Sequence, residues 1–168
     1  RRPRTIALLN TTSFPKGEGW RRTFYRPFLR RMDELVYGCA LQSREWAQFL
    51  GTKATCASVI YNGVDTEHFA PPEQRARASI RADLGLSPDT FVVGTVGRLA
   101  VEKNQRALIE ALAALRARGT PAHVLIVGEG PKRAELERQA ADAGLAEHVT
   151  LAGVHRDVRP LLSAMDVF

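Results

Sequence analysis

The second half of this 168-residue chain alternates short β-branched runs with amphipathic helices, and this alternation constrains the fold more than any other feature. The pattern predicts strands over 91–96, 123–127 and 148–152, separated by helices over 105–118 and 132–143. Strands that alternate with helices form a parallel sheet through right-handed crossovers. We therefore expect an α/β fold, with a doubly wound parallel sheet and helices on both faces.

The first half shows a similar but less regular pattern, and a cluster of turn residues separates the halves. The remaining predicted elements are strands over 5–9, 35–41 and 57–61, helices over 20–32, 44–50, 73–84 and 158–165, and the start of a strand at 166–168. Ser43 is the expected cap of the helix over 44–50, which ends at Gly51, and Pro27 is expected to break or kink the helix over 20–32. Turn residues and two prolines between 62 and 72 predict a domain boundary there.

The positive charge of the chain is concentrated near its start. The net charge is +6, but residues 1–33 hold nine basic and two acidic residues, and the other 135 residues are nearly neutral. Such a segment suits nucleic acid, an anionic membrane surface or an anionic small acceptor, or is simply a solvated face. Nucleic acid is the least favoured partner, because no nucleic-acid-binding motif accompanies the arginines. A content of 45% hydrophobic residues excludes a disordered or low-complexity chain.

The candidate functional residues lie in three loops that follow predicted strands, where ligands of parallel α/β sheets bind. Loop 97–104 places Arg98 and Lys103 before a predicted helix, which favours a phosphate, although both cations could also be merely solvated. The loop at 128–131 has two glycines that allow close backbone approach or simply form a tight turn. In the loop at 153–157 the backbone could face a base, or Asp157 could act only as a helix cap.

Cofactor and metal chemistry has no sequence signal. No GxGxxG fingerprint is present, and the histidines and the two cysteines lack metal-ligand spacing. No nucleophile, histidine and acid set can be assembled either. Residue chemistry alone therefore predicts a phosphate-binding α/β domain without a cofactor.

Five short motifs, taken in order, resemble the retaining glycosyltransferases of family 4, which have the GT-B fold. They are Val59-Ile60-Tyr61-Asn62-Gly63-Val64-Asp65 with Phe69, Val96-Gly97-Arg98-Leu99 with Glu102-Lys103-Asn104, Val127-Gly128-Glu129-Gly130-Pro131, Leu151-Ala152-Gly153, and Ala164-Met165-Asp166-Val167-Phe168. The resemblance is strong from about residue 57 onward and looser over 1–56.

The resemblance implies two Rossmann-like domains that face each other across a cleft. Residues 1–61 would be the last part of the acceptor-side domain, 62–72 the linker, and 73–168 the donor-binding domain, truncated at its end. By this similarity Arg98 and Lys103 would hold the donor diphosphate. The donor pocket would include Gly97, Gly128, Glu129, Gly130, Gly153, Val154, His155 and Arg156. Asn62, Gly63 and Asp65 would border the cleft.

The activity implied by the resemblance is transfer of a hexosyl group from a nucleotide-diphosphate sugar to an acceptor hydroxyl, with retention and without a metal ion. The product would be a cell-surface polysaccharide, a glycolipid or a related glycan, made from a glycan or lipid-linked acceptor. The implied location is cytoplasmic, and the basic segment 1–33 suits peripheral contact with the inner membrane face.

Two departures from the family pattern concern catalysis. The family carries two glutamates with seven residues between them (Glu-x7-Glu), which we expect soon after Phe168. No catalytic residue is therefore assigned, and the 168 residues alone are expected to be inactive. Many members also have a histidine where Asn10 or Thr11 stands here. Three other classes compete: a non-catalytic nucleotide-binding α/β module, a nicotinamide-dependent oxidoreductase and an interaction protein that uses residues 1–33.

Overall fold

The computed structural model describes residues 4–9, 19–51, 57–71 and 74–168, with the side chains of 19–22 and 74–75 left aside. The chain divides into two compact units, Arg1–Asp65 and Thr66–Phe168. The division falls within the stretch 62–72, of which Pro72 lies outside the described residues. Each unit contains its own three-stranded sheet.

The first unit is a parallel sheet with two connecting helices. Its elements are β1 (Ile6–Leu9), α1 (Gly19–Leu29), β2 (Glu34–Tyr37), α2 (Ala40–Leu50) and β3 (Ala57–Val59). The strands lie in the order β1-β2-β3 and all run parallel. Leu29, Tyr37, Trp46 and Leu50 form the buried core between the helices and the sheet.

The boundary between β2 and α2 differs from the sequence prediction. The predicted strand over 35–41 and the predicted Ser43 cap are wrong, because β2 ends at Tyr37 and α2 begins at Ala40. Cys39 caps the helix instead: its extended backbone places Sγ 3.4 Å from the amide nitrogen of Gln42, from which it accepts a hydrogen bond. A thiol is a weak acceptor and is seldom an N-cap, so the sequence favoured the nearby serine. The predicted end at Gly51 is confirmed, with φ 62°.

Pro27 does not break α1, so of the two predicted outcomes, a break or a kink, the break is wrong. The helix runs through Pro27 to Leu29. Proline lacks only its own backbone N–H, and in the last turn its absence removes a single helical hydrogen bond. The amide of Arg30 still donates to the carbonyl of Arg26 at 3.1 Å, which closes the following turn.

The second unit is a larger parallel sheet with helices on both faces. In chain order its elements are α3 (Gln74–Asp83), β4 (Phe91–Val96), α4 (Arg106–Ala117), β5 (Ala122–Val127), α5 (Arg133–Asp142), β6 (Val149–Gly153) and α6 (Arg159–Ala164). One-turn 3₁₀ helices over Val101–Lys103 and Ala146–His148 precede α4 and β6. All three strands are parallel, in the order β4-β5-β6.

The six residues of β5 are all buried, because both faces of this strand are covered. Val124 and Ile126 belong to a core with Ile109 of α4 and Leu136 of α5. The alternate residues Leu125 and Val127 belong to the opposite core, with Leu161 and Ala164 of α6. The expected α/β class, with a parallel sheet between helices, is confirmed.

The segment 166–168 lies beside β4, on the edge opposite β5. Val167 pairs in parallel with Val93, as the sequence predicts for the start of a further strand. Gly94 of β4 makes room for Met165, the residue just before this segment. A Cβ atom on Gly94 would lie 2.3 Å from Sδ of Met165. The bare backbone of β4 therefore lets the Met165 side chain lie across it.

Asp166 attaches this segment to α3 and β4. Its carboxylate accepts hydrogen bonds from the amide of Val92 at 2.7 Å and from Nη2 of Arg81 at 2.6 Å, and it also pairs with Arg77. Arg81 is buried and donates further to the carbonyls of Ala164, Pro88 and Thr90.

Candidate functional site

The order of the strands in the second unit defines where a ligand should bind. The sheet of the second unit begins with β4, and the chain then adds β5 and β6 on one side of it. The chain returns to the other side of β4 at Val167. Open α/β sheets bind ligands at the carboxyl ends of the strands where the order reverses in this way. The loop after β4, residues 97–105, leaves the sheet at this switch point.

Backbone hydrogen bonds join the three loops that the sequence analysis singled out. The amide of Gly97 donates to the carbonyl of Val127 at 2.9 Å, and the amide of Leu99 donates to that of Glu129 at 2.9 Å. The amide of Gly128 donates to the carbonyl of Gly153 at 2.7 Å. The ends of β4, β5 and β6 therefore form one connected rim.

Two glycines allow the first two loops to approach each other. A Cβ atom on Gly128, whose φ is 133°, would lie 2.1 Å from the carbonyl oxygen of Gly97. A Cβ atom on Gly130 would lie 2.4 Å from the carbonyl oxygen of Leu99. Neither position accepts a side chain unless the backbone moves, so a structural reason accounts for both glycines.

Arg98 has a fixed backbone and an exposed side chain. Its carbonyl accepts a hydrogen bond from Nε2 of the buried Gln105 at 3.0 Å, and the next residue, Leu99, is fully buried. Its guanidinium forms an ion pair with Glu102, with 2.5 Å between Nη2 and Oε1. The Arg98 and Glu102 side chains are 70% and 58% exposed, so both are accessible to a ligand.

Lys103 is the last residue of the 3₁₀ turn Val101–Lys103 and is exposed. Asn104 ends this turn in the left-handed conformation, with φ 50°. Within the described ranges Lys103 forms no ion pair of its own. The pKa of Glu102 is lowered by a hydrogen bond from its own backbone amide, then by the hydrogen bond from Arg98, and further by the charges of Arg98 and Lys103.

Arg133, which the sequence analysis missed, connects the second loop to β6. Its Nη1 lies 2.5 Å from a carboxylate oxygen of Glu129 and its Nε lies 2.8 Å from one of Glu137. Its Nη2 donates to the carbonyl of Leu151 at 3.2 Å. Glutamates four residues before and after an arginine are the sequence signal that could have identified it.

The third loop is exposed and partly held by its own side chains. Val154, His155 and Arg156 are exposed, and Nε2 of His155 lies 3.0 Å from the carbonyl of Ala152. Asp157 accepts hydrogen bonds from the side chain and the amide of Arg159, which lower the pKa of Asp157 to about 2. Asp157 therefore acts in the local structure before α6, but the predicted role as helix cap is wrong, because Val158 occupies the N-cap position of α6 and makes no side-chain capping bond.

The remaining predicted residues lie in the first unit. Asn62, Gly63 and Asp65 are exposed and outside any helix or strand. Their place at a cleft stays a prediction.

Within the basic segment 1–33, Arg1, Arg2 and Lys16 lie outside the described residues, as do Asn10 and Thr11. Arg4, Arg30 and Arg31 are exposed.

α1 adds exposed aromatic rings to this basic segment. The Phe24 and Phe28 side chains are 69% and 59% exposed and, with Thr23, Pro27 and Arg31, line a shallow groove. The helix contains no acidic residue.

None of the helices in the described part of the chain combines the length and apolarity that crossing a bilayer requires. Among the same residues, no group of three or more His, Cys, Asp or Glu side chains could hold a metal ion.

Residues 90–168 match the sequence model of the family described as "Glycosyl transferases group 1". The match lies within the second unit, Thr66–Phe168, and the α/β fold with its parallel sheets is that of GT-B glycosyltransferases.

Curated relatives also bear glycosyltransferase names. A "GDP-mannose-dependent alpha-(1-6)-phosphatidylinositol monomannoside mannosyltransferase" of Mycolicibacterium smegmatis is 45% identical over 109 residues, covering 63% of this chain and 28% of that protein. The "lipopolysaccharide core biosynthesis mannosyltransferase LpsB" of Rhizobium meliloti is 31% identical over 161 residues, covering 92% of this chain and 43% of that protein. The chain thus spans less than half the length of either relative.

Solved structures share the fold. Anabaena HepE in complex with UDP and glucose superposes with a TM-score of 0.82 at 24% identity, covering 96% of this chain and 44% of that one. WaaG, a glycosyltransferase involved in lipopolysaccharide biosynthesis, superposes with a TM-score of 0.71 at 18% identity, covering 97% of this chain and 50% of that one. At these identities the likeness concerns the fold alone.

Proposed function

We propose that this chain is part of a family 4 glycosyltransferase that transfers a hexosyl group from a nucleotide-diphosphate sugar to an acceptor hydroxyl. The observation that carries the proposal is the loop at the switch point, which presents Arg98 and Lys103 to solvent where α/β sheets bind ligands. The names of the relatives support the reaction class and the synthesis of a cell-surface polysaccharide, glycolipid or related glycan.

Arg98 and Lys103 are proposed to hold the donor diphosphate. An arginine is always charged and its forked N–H groups match a phosphate edge, whereas a lysine contributes a compact point charge. When the bond between the anomeric carbon and the diphosphate breaks, its electron pair remains on the phosphate. Fixed cations stabilise that charge as it develops. We therefore propose a reaction that needs no metal ion. That the reaction retains the configuration at the anomeric carbon is proposed from the resemblance to family 4 alone.

The rim of the three loops is proposed to form the donor pocket. Gly97, Gly128, Glu129 and Gly130 would form one wall, since their backbones already lie in contact. The half-buried Gly153 and the exposed residues 154–156 would lie near the base. In this arrangement 73–168 is the donor domain, 1–61 belongs to the acceptor side, and Asn62, Gly63 and Asp65 border the cleft.

The basic segment 1–33 is proposed to bring the enzyme to a lipid-linked acceptor at the inner membrane face. Exposed arginines together with the exposed Phe24 and Phe28 fit an anionic bilayer surface, because aromatic rings enter the headgroup region while the cations pair with lipid phosphates.

The test uses the complete protein that contains this chain, with calorimetric titration of GDP and UDP and transfer assays with GDP-mannose and UDP-glucose. Arg98→Ala and Lys103→Ala should each lower kcat/KM by roughly 10²-fold, the scale for losing one donor that stabilises transition-state charge. Arg106→Ala is the matched control, since Arg106 is an exposed arginine paired with Glu110 four residues later.

Several outcomes would contradict parts of the proposal. Unchanged rates in both variants would remove the diphosphate role, and strict dependence on Mg²⁺ or Mn²⁺ would contradict the metal-free reaction. Nucleotide binding without transfer to any acceptor would indicate the non-catalytic nucleotide-binding module instead. Inversion at the anomeric carbon, read from the NMR coupling constant of the product, would exclude retention.

A further inference from the structure

Arg98, which we propose to bind the donor diphosphate, already forms an ion pair with a carboxylate of its own loop. Arg98 Nη2 lies 2.5 Å from Glu102 Oε1, on the short turn between β4 and α4. In the described part of the chain, Glu102 is the only carboxylate paired with Arg98. A carboxylate and a phosphate oxygen bind a guanidinium in the same way.

Hydrogen bonds fix the backbone around this pair, whereas the two side chains can rotate in the solvent. Gln105 holds the carbonyl of Arg98, and Leu99 donates its amide to Glu129 and accepts that of Lys132 at 3.1 Å. Both charged side chains, in contrast, are mostly exposed. Arg98 can therefore exchange Glu102 for a ligand when the two side chains rotate, while the backbone of the three loops stays in place.

The position of Glu102 makes the two anions compete. Nη2 contributes one hydrogen to each of the two forked edges of a guanidinium. A carboxylate on Nη2 therefore occupies one edge, and its charge repels a phosphate at the other. The pKa of Glu102, lowered by its own amide, by Arg98 and by Lys103, agrees with a carboxylate that stays ionised between the two cations.

We propose that Glu102 is a specificity-determining residue whose carboxylate competes with the donor diphosphate for Arg98. This inference rests on the proposed function, because it assumes that the diphosphate binds at this loop. With Glu102 ionised, Arg98, Lys103 and Glu102 give the loop a net charge of only +1. A ligand must therefore bring enough negative phosphate charge to replace the carboxylate at Arg98. A nucleoside without phosphate does not compete for Arg98 at all.

The experiment compares Glu102→Gln with the wild type by calorimetric titration of GDP and UDP into the complete protein at low salt. Glutamine keeps the length and a carbonyl acceptor for Arg98 but removes the charge. Exposed ion pairs are weak, so we expect tighter binding by about threefold to tenfold, reduced at high salt. Guanosine and uridine should bind both forms equally.

Glu110→Gln is a closely matched control. It removes the carboxylate of another arginine–glutamate pair four residues apart, Arg106 with Glu110, whose side chains are 68% and 57% exposed. This pair lies on α4 and is not part of the proposed site. The control should leave the affinity for GDP and UDP unchanged.

Failure of this inference is distinguishable from failure of the proposed function. If the wild type binds a nucleoside diphosphate and Arg98→Ala loses that binding, but Glu102→Gln binds no more tightly, the competition is overturned while the site stands. Weaker binding by Glu102→Gln would show that the carboxylate only orients Arg98, which also overturns it. If neither the wild type nor Glu102→Gln binds GDP or UDP, both proposals fail.

Discussion

His123 is a buried imidazole in the middle of the second sheet. It is 8% exposed, and its Nε2 lies 2.8 Å from Oγ1 of Thr150 on the neighbouring strand. Burial is the main cause that lowers the pKa of His123 to about 4, and the charges of His148 and Arg116 add to it. The folded protein therefore holds this histidine neutral under conditions in which an exposed one is protonated.

The low pKa of His123 predicts that stability depends on pH. The unfolded imidazole takes up a proton near its ordinary pKa of about 6.5, and the folded one only near 4. Between these values the unfolded state binds more protons, so the free energy of unfolding falls as the pH falls from about 6.5 to 4. The limiting loss is on the order of 3 kcal/mol. Urea denaturation at pH 7 and pH 5 measures the part of this loss that is complete by pH 5, about 2 kcal/mol.

His123→Gln separates this effect from other titrations. The glutamine amide can still meet the hydroxyl of Thr150 but does not titrate. The variant should lose less stability than the wild type between pH 7 and pH 5. An identical loss in both proteins would show that His123 is not the cause.

At the scale of elements, the carboxylate of Asp166 joins α3, β4 and the segment 166–168. Asp166→Asn should lower the free energy of unfolding by about 1–3 kcal/mol, because Val92 and the buried Arg81 lose a charged acceptor. Denaturant unfolding monitored by circular dichroism measures the change. Asp142→Asn, an exposed residue at the end of α5, should change it little. Equal stability of both variants would contradict the role given to Asp166.

The elements of the second unit were predictable because their signals are local. Apolar residues at helical spacing and glycines after the helices gave α4 and α5 to within a residue or two at each end. The first unit was less predictable at Cys39, whose capping role depends on the backbone conformation before α2. The 3₁₀ turn Val101–Lys103 has no periodicity to reveal it, and it ends where Asn104 adopts a left-handed conformation.

The candidate site was predictable at the level of loops but not of contacts. Strand–helix order alone indicated that the three loops share one edge of the sheet. The Arg98–Glu102 pair and the contacts of Arg133 depend on rotamers and on the turn between them, which the sequence does not encode locally. The close approach of Gly128 to Gly97 joins residues 31 positions apart, so only the folded sheet reveals it.

At the scale of the whole molecule, the uneven charge predicts binding to anionic lipid. The complete protein should sediment with vesicles that contain phosphatidylglycerol, and substituting Arg21, Arg22, Arg30 and Arg31 by alanine should weaken this binding, because each basic residue near an anionic surface contributes about 1 kcal/mol. Added salt should weaken the wild type in the same direction.

The control for lipid binding removes positive charge from the second unit. Alanine at Arg106, Arg118 and Arg138, which are all exposed, should leave sedimentation with vesicles nearly unchanged. If the two sets of substitutions have equal effects, the interaction follows total charge and not the basic segment. If neither has an effect, the membrane contact is wrong.

The thioether of Met165 rests where a methyl group on Gly94 would otherwise stand. Backbone hydrogen bonds between Gly94, Val92 and Val167 set the spacing of the two strands, whereas the missing Cβ of Gly94 leaves room on the sheet face for Met165, which is buried in the same core as Leu125. Any larger residue at position 94 would have to displace Met165. Because Asp166 follows Met165 directly, the same displacement would disturb the carboxylate that meets Val92 and Arg81.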